Sequence, residues 1–422
     1  MITKVRIKNF KAIQDSGEID LINLNAFIGN NGSGKSSVLE ALELVRSIVL
    51  SGLSASFEKY GGLEKVRNYK AKLDTPKKIK SDSGMDEFES YYEPISIEFS
   101  GHINKERYSY HIAINTSANN DYYFIQEESL IFAGEKIFTL KLLESKGGGF
   151  LYRGELEEPE PGIISGNERY VQCIYSVLEF EERVEGSKQD KFREYILNWN
   201  FLHIDPQTTG SIKTLGRSPK RPKMDYHGSN LGELISYLYN NDKSKFEKII
   251  QKMKLILPYL SDIKPKIVDS FDIKISLIMQ ENESINNEGI PSWLFSSGTL
   301  RILALLTAII SIDPERPSII FIDEIENGLD PQTLALLFET IKELNENKSQ
   351  AIVTTHSISL LNQIDPKTSL LLAKRELNGS LRYIKADSDG VLGELIKGGK
   401  KIGDAYSEYS PKSKNWKPGS YT

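Results

Sequence analysis

Polar and apolar residues alternate through KVRIKNFKAI near the start of the chain, the two-residue period of a strand with one buried face. The stretch INLNAFIGNNGSGKSSVLEALELVRSIVL then reads as strand, glycine-rich loop and helix, with Val38, Leu39, Leu42, Val45 and Val49 recurring at helical spacing. Residues 51–93 are polar and lysine-rich, which predicts a loop region with a short helical piece around GLEKVRN. From 95 to 152 the alternating segments ISIEF, RYSYHIAI, YYFIQ and KIFTLKLL are broken by Asn, Gly and Ser clusters, the pattern of antiparallel strands. Residues 167–200 and 229–262 read as largely helical, separated by the proline-rich basic loop LGRSPKRPKMDYHG, and FDIKISLIMQ adds strand character.

From 299 onward helical and strand-like segments alternate: LRILALLTAII, SIIFI, PQTLALLFETIKELNE, AIVTT and SLLLA. Short apolar strands separated by helices predict a parallel sheet buried on both faces. Asp330 stands where an N-cap belongs and Pro331 at the first helical position, followed by an apolar stripe of Leu334, Leu337, Phe338, Ile341 and Leu344. The end, YSPKSKNWKPGSYT, has no apolar period and is expected to be a mobile arm. The chain shows no internal repeat and no heptad run long enough for an extended coiled coil.

Composition narrows the class. The 422 residues are 39% hydrophobic and 26% charged, which suits a globular protein of two or three domain-sized units. Lys plus Arg number 53 and Asp plus Glu 58, a net charge of −5, a balance that does not mark a dedicated nucleic-acid binder and leaves room for local basic patches. The single cysteine, Cys173, excludes a disulfide framework or a cysteine zinc site within one chain. MITKVRIKNF has no apolar signal-peptide core, and the longest apolar run is about half of what a membrane span needs, so a cytoplasmic protein without membrane contact is expected.

Three stretches carry chemistry. GNNGSGKS at 29–36 matches G-x-x-x-x-G-K-[ST] between a predicted strand and helix. Gly29, Gly32 and Gly34 let the backbone curl so that the N–H groups of Asn30, Asn31, Gly32, Ser33 and Gly34 face a phosphate. Lys35 brings a point charge to the β/γ-phosphates, and Ser36, beside Ser37, offers a hard oxygen to Mg²⁺. In SIIFIDE a buried strand ends in Asp323, suited to hold Mg²⁺ through water, and Glu324, suited to orient or deprotonate an attacking water. In AIVTTHS another strand ends in His356, able to hydrogen-bond a γ-phosphate oxygen or that water.

LFSSGTLRI at 294–302 poses a separate question: Ser296 and Gly298 stand just where an apolar helix begins, a second candidate anion site. A plain helix cap describes the local sequence equally well.

The order GNNGSGKS, LFSSGTLRI, FIDEIENGLDP, VTTHS resembles the ABC-type ATPases, and within them the SMC, RecF and OLD-like ATPases of AAA type more than membrane transporters. The resemblance covers roughly 1–50 and 290–390; the middle matches only in layout. It implies an α/β P-loop NTPase fold: an ABC-type ATPase head with an N-terminal antiparallel β lobe, a RecA-like mixed or parallel sheet core and a helical insert. The expected division is 1–160 for the N-terminal lobe, 161–290 for the insert, 291–396 for the C-terminal lobe and 397–422 for a basic tail.

The resemblance also implies ATP and Mg²⁺ as cofactors and a homodimer or higher homo-oligomer. In that arrangement Ser296 and Gly298 reach the nucleotide of a second copy in trans, and Asp330 in ENGLDP lies at the interface. Ser297 departs from the family's usual glycine. Gln126 and Gln172 are both candidates for the Q-loop residue. OLD-type nucleases continue into a TOPRIM domain, whereas only 66 residues follow His356 here; DSDG at 387–390 reads as a surface turn, and no nuclease site is expected. Compact relatives of this kind sit beside an effector, a nuclease or toxin, in bacterial anti-phage systems, and the resemblance implies that role. Two rivals remain: an ATP-binding scaffold with negligible turnover, and a DNA-repair ATPase. RSPKRPK and the tail residues Lys412, Lys414 and Lys417, with Tyr409, Trp416 and Tyr421, are candidate contacts for DNA, RNA or a partner protein.

Overall fold

The computed structural model describes residues 1–79, 88–116, 123–143, 148–153, 169–172, 176–180, 185–210, 213–214, 222–269, 274–282, 289–316, 318–346, 349–365, 368–376 and 379–409. The chain divides into two compact units. The first comprises Met1–Ile22, Phe27–Trp199 and Leu371–Lys385; the second comprises Asn23–Ala26, Asn200–Leu370 and Ala386–Thr422.

The first unit is built on a nine-stranded sheet. Its strands run in the order Arg169–Gln172, Gly148–Arg153, Glu135–Leu143, Tyr123–Phe132, Glu106–Thr116, Ile95–Ile103, Ile2–Phe10 and Ile13–Asp15, with Ile19–Asp20 also on Ile2–Phe10. All these neighbours are antiparallel. The period-two pattern dictates the buried face: Ile95, Ile97, Phe99 and Ile103 point inward, and Glu98 points out. The helix Lys188–Leu197, capped by Ser187, supplies an opposing aromatic layer. Phe192 stacks on Phe99 at 6.2 Å, and Trp199 meets the same ring edge-on at 5.3 Å. Burial of such rings is worth about 1.5–3 kcal/mol each. The helix Lys35–Ser51 buries the predicted stripe of Val38, Leu39, Leu42, Val45 and Val49.

Two segments of this unit depart from expectation. Within 51–93 the structure has the helix Leu53–Glu58, a 3₁₀ turn at Leu63–Lys65 and the antiparallel pair Lys72–Ile79 and Phe88–Tyr92. A tertiary contact explains the order there: Arg67 is buried with its guanidinium 4.2 Å from the centre of the Tyr92 ring. Among the described residues of 167–200 helix is limited to Val177–Phe180 and Lys188–Leu197, and Arg169–Gln172 is a strand.

In the second unit Asn200–Leu202, Ile319–Ile322 and Gln350–Thr354 pair in parallel, with Leu202 opposite Ile322 and Val353 also opposite Ile322. Phe201 stacks on Phe321 at 4.1 Å. The helix Ser297–Ile310 is buried on nearly every side, as expected of a helix apolar all round. The helix Pro331–Glu346 buries Leu334, Leu337, Phe338, Ile341 and Leu344. Leu231–Asn241 and Lys243–Ile256 are the helices expected in 229–262, which ends as the strand Leu260–Asp269. That strand pairs with Lys274–Glu281, which also pairs with Lys213–Thr214 and Ile290–Pro291. Among the described residues no helix is long and apolar enough to cross a membrane.

Candidate functional site

In the first unit the end of the strand Leu24–Ile28 runs into Gly29 and the loop to Lys35. Left-handed or otherwise glycine-favouring backbone falls on Gly29 (φ 148°), Gly32 (φ 74°) and Gly34 (φ 83°). The loop is also tightly walled. A Cβ on Gly29 would run into the Ala373 carbonyl, and one on Gly34 would strike Leu381 and the Tyr383 hydroxyl. Tyr383 donates its hydroxyl to Gly34 O at 3.0 Å, and burial pushes its pKa far up, so it stays a donor.

Lys35 is only 6% exposed, and its ammonium donates to Gly29 O at 2.8 Å and Asn30 O at 3.1 Å. Asn30, Asn31 and Gly32 form the exposed rim; Ser36 is half-buried and Ser37 buried. Ser33 is 3% exposed, and its Oγ has no hydrogen-bond partner among the described residues. The helix beginning at Lys35 has no side-chain cap on its first amides. A glycine-shaped loop, an orphaned Ser33 hydroxyl, a helix start without a side-chain cap and a buried ammonium fit a polyphosphate. Ser36 Oγ is the hard-oxygen donor type that Mg²⁺ takes.

In the second unit the strand Ile319–Ile322 ends in Asp323 and Glu324. Glu324 adopts φ 47°, the left-handed region, unusual for a residue with a side chain. Hydrogen bonds hold it there. Its N–H donates to Thr354 Oγ1 at 2.8 Å, and the Thr354 hydroxyl donates to Asp323 Oδ1 at 2.6 Å. Its carbonyl accepts from Asn327 N at 3.0 Å and from Arg301 Nη2 at 2.9 Å. The Glu324 side chain is exposed and Asp323 half-buried. His356 is half-buried, and its backbone N–H donates to Glu326 Oε1 at 2.5 Å. The two strand ends thus bring Asp323, Glu324, Glu326, Thr354 and His356 to one edge of the parallel sheet.

Ser296 N-caps the helix Ser297–Ile310, its Oγ accepting from Thr299 N at 3.1 Å and pairing with Thr299 Oγ1 at 2.8 Å. Ser296 and Ser297 are exposed, as are Trp293 (51%) and Leu294 (68%) just before them. A Cβ on Gly298 would come 3.0 Å from Gly328 O, so the start of this helix rests on the ENGLDP turn. Asp330 is the predicted cap: Oδ1 accepts from Gln332 N and Thr333 N at 3.0 and 3.1 Å, and Oδ2 from the Thr333 hydroxyl at 2.5 Å. The Thr333 hydroxyl, more than the amides, draws the Asp330 carboxyl below its ordinary pKa.

The remaining candidates fall elsewhere. Gln126 lies in the strand Tyr123–Phe132 and accepts from Asn115 Nδ2 at 3.2 Å; the Gln172 side chain is outside the described residues. In DSDG, Asp389 is buried and caps the helix Gly390–Lys397, and Tyr409 donates its hydroxyl to Asp389 at 3.2 Å. Cys173, residues 217–221 of the basic loop and the tail from 410 lie outside the described residues.

Sequence reasoning missed Thr354 and Arg301, which shape the acidic turn, and His203, which follows Leu202 off the same sheet edge beside the strand carrying Asp323. Arg301 had a visible signal, a charge inside LRILALLTAII; Thr354 had none.

Comparisons with known proteins agree with this chemistry. A family model described as "AAA ATPase domain" matches residues 1–129, and one described as "AAA domain, putative AbiEii toxin, Type IV TA system" matches 194–362. The chain is 33% identical over 92 residues to the glucosylceramide transporter ABCA12 of Homo sapiens, covering 22% of this chain and 3% of that one. It is 21% identical over 376 residues to an ATP/GTP phosphatase of Helicobacter pylori, covering 86% and 88% of the two chains. The SMC head bound to the C-terminal winged-helix domain of ScpA is similar with a TM-score of 0.47 at 14% identity, over 91% of this chain and 96% of that one. The fold is thus an α/β P-loop NTPase fold. The matched domains and the phosphatase relative support an ATP-binding ATPase.

Proposed function

We propose that this protein is a Mg-ATP-dependent ATPase that switches by nucleotide-dependent dimerisation and serves as the sensor or regulatory ATPase of a bacterial anti-phage system, acting on a separate effector protein. Asn30 through Ser37 hold the phosphates through backbone amides, with Lys35 on the β/γ-phosphates. Ser36 and, through water, Asp323 are the residues that would hold Mg²⁺, which would supply positive charge to neutralise the phosphates. Glu324 orients the attacking water and takes its proton, and His356 hydrogen-bonds the water or a γ-phosphate oxygen. Ser296 and Gly298 of a second copy complete the phosphate contacts, and Asp330 lies at that interface.

The observation that carries the reading is the Glu324 turn, an exposed carboxylate fixed in left-handed backbone beside Asp323, in a chain that also has the glycine-shaped anion loop. The exposed residues Trp293, Leu294, Ser296 and Ser297 support a surface made to meet another copy. The defence role is supported by the toxin–antitoxin description of the family model matching 194–362.

Glu324→Gln tests the mechanism. Turnover should fall by about 10²–10⁴-fold, ATP binding should persist, and light scattering with ATP and Mg²⁺ should show a stable dimer. A variant that stays monomeric at saturating ATP would sink the dimer switch. A wild-type chain that binds ATP tightly and releases no phosphate would make it a scaffold instead.

A further inference from the structure

Arg301 is the one charged residue in the run Leu300–Ile310, and it is only 4% exposed. Its neighbours along the helix, Leu300, Ile302, Leu303 and Ala304, are all buried and apolar. Packing alone would favour an aliphatic residue there, because an ionised group taken out of water is costly unless well bonded. Burial lowers the Arg301 pKa, and the carboxylates of Glu324, Glu326 and Asp323 oppose that fall. Nη1 donates to Ile204 O at 3.0 Å and Nη2 to Glu324 O at 2.9 Å. One planar fork therefore grips the backbone beyond two neighbouring parallel strands.

The Glu324 end of that grip is the strained one. Its peptide is fixed on the amide side by Thr354, which belongs to the sheet, and on the carbonyl side by Arg301, which belongs to the helix capped by Ser296. The same helix touches the turn again one helical turn earlier, where Gly298 abuts Gly328 O, while Gly328 in turn lies against the Arg301 stem. Residues 298 and 301 share a helix face by their spacing.

We propose that Arg301 is a positioning residue that couples the Ser296–Gly298 end of its helix to the backbone of Glu324, so that contact made at that helix start sets the aim of the Glu324 carboxylate. The inference rests on the ATPase reading given above. Arginine is required because its fork spans two carbonyls at once, whereas a lysine ammonium is a single point donor on a flexible stem.

The test uses the full chain with Arg301→Lys and Arg301→Met, read by thermal melting, binding of a fluorescent ATP analogue and steady-state phosphate release. Arg301→Lys should melt close to wild type and bind the analogue within about twofold, with KM little changed, while kcat falls by about tenfold or more. Arg301→Met should lose at least as much kcat. Wild-type kcat in Arg301→Lys would overturn the proposal while leaving the ATPase reading intact. A wild-type chain without turnover would defeat that reading and this inference with it.

Hydrogen exchange on the unmutated chain covers the case in which both variants misfold. A non-hydrolysable ATP analogue should slow exchange in 324–328 together with 298–301. Protection of 298–301 with no change in 324–328 would also overturn the coupling.

Discussion

In the phosphate loop the unusual backbone falls on Gly29, Gly32 and Gly34, which have no side chain to clash; in the acidic turn it falls on Glu324, which does. The loop is shaped by residue type, with walls set so close that a Cβ on Gly29 or Gly34 does not fit. The turn is shaped by its neighbours: Thr354 holds the Glu324 amide, Asn327 and Arg301 hold its carbonyl, and removing them would release the strain. The first kind of site is written locally in the chain. The second is closed locally by Asn327 but also held by residues 23 and 30 positions away, and so depends on the fold being complete around it.

This contrast can be broken at chosen positions. The largest effect is expected from Gly34→Ala, which meets both a positive φ and the wall of Leu381 and Tyr383. It should cost about 1–3 kcal/mol by denaturant unfolding and weaken ATP binding in a fluorescence titration. Glu324→Gly runs the other way. Relief of the left-handed cost exceeds the entropy glycine adds to the unfolded chain, so stability should rise by about 1 kcal/mol while turnover is lost. An unchanged or lowered stability for Glu324→Gly would mean the turn is not strained as argued.

The smallest effect is expected at the exposed Asp330, where Asp330→Ala removes a helix cap worth about 1 kcal/mol. The Asp330 pKa is lowered in the folded chain, so its stabilisation is fully present above the unfolded value of 3.8 and is lost as pH falls through the lowered value. Melting curves of wild type and Asp330→Ala should therefore stand apart at neutral pH and draw together in acid below 3.8.

The same contrast explains what could be seen in advance. Gly29, Gly32, Gly34 and Lys35 announce their loop because spacing and residue type suffice. Asp330–Pro331 announce a helix start because capping is chemistry between near neighbours. The long alternating strands of 95–143 announce their buried face over enough residues for the period to register. Asn200–Leu202 does not, since a strand of three residues carries no measurable period, and it is defined instead by its pairing with Ile320–Ile322. The strand pair at Lys72–Ile79 and Phe88–Tyr92 was hidden by its lysines, which suit an exposed face as well as a loop. At the acidic edge Asp323 and Glu324 were legible, but the left-handed twist of Glu324 was not, because Thr354 and Arg301 reach it only through the folded sheet.

The walls of the phosphate loop have a consequence for how the protein is made. Tyr383, which bonds Gly34, lies 349 residues later in the chain, and Ala373 and Leu381 arrive from the same late segment. A ribosome that has already released the glycine-rich stretch must therefore translate 349 further residues before Tyr383 can close on it. The motif emerges long before it takes its working shape, so a growing polypeptide gains its grip on nucleotide only once that later segment has been made.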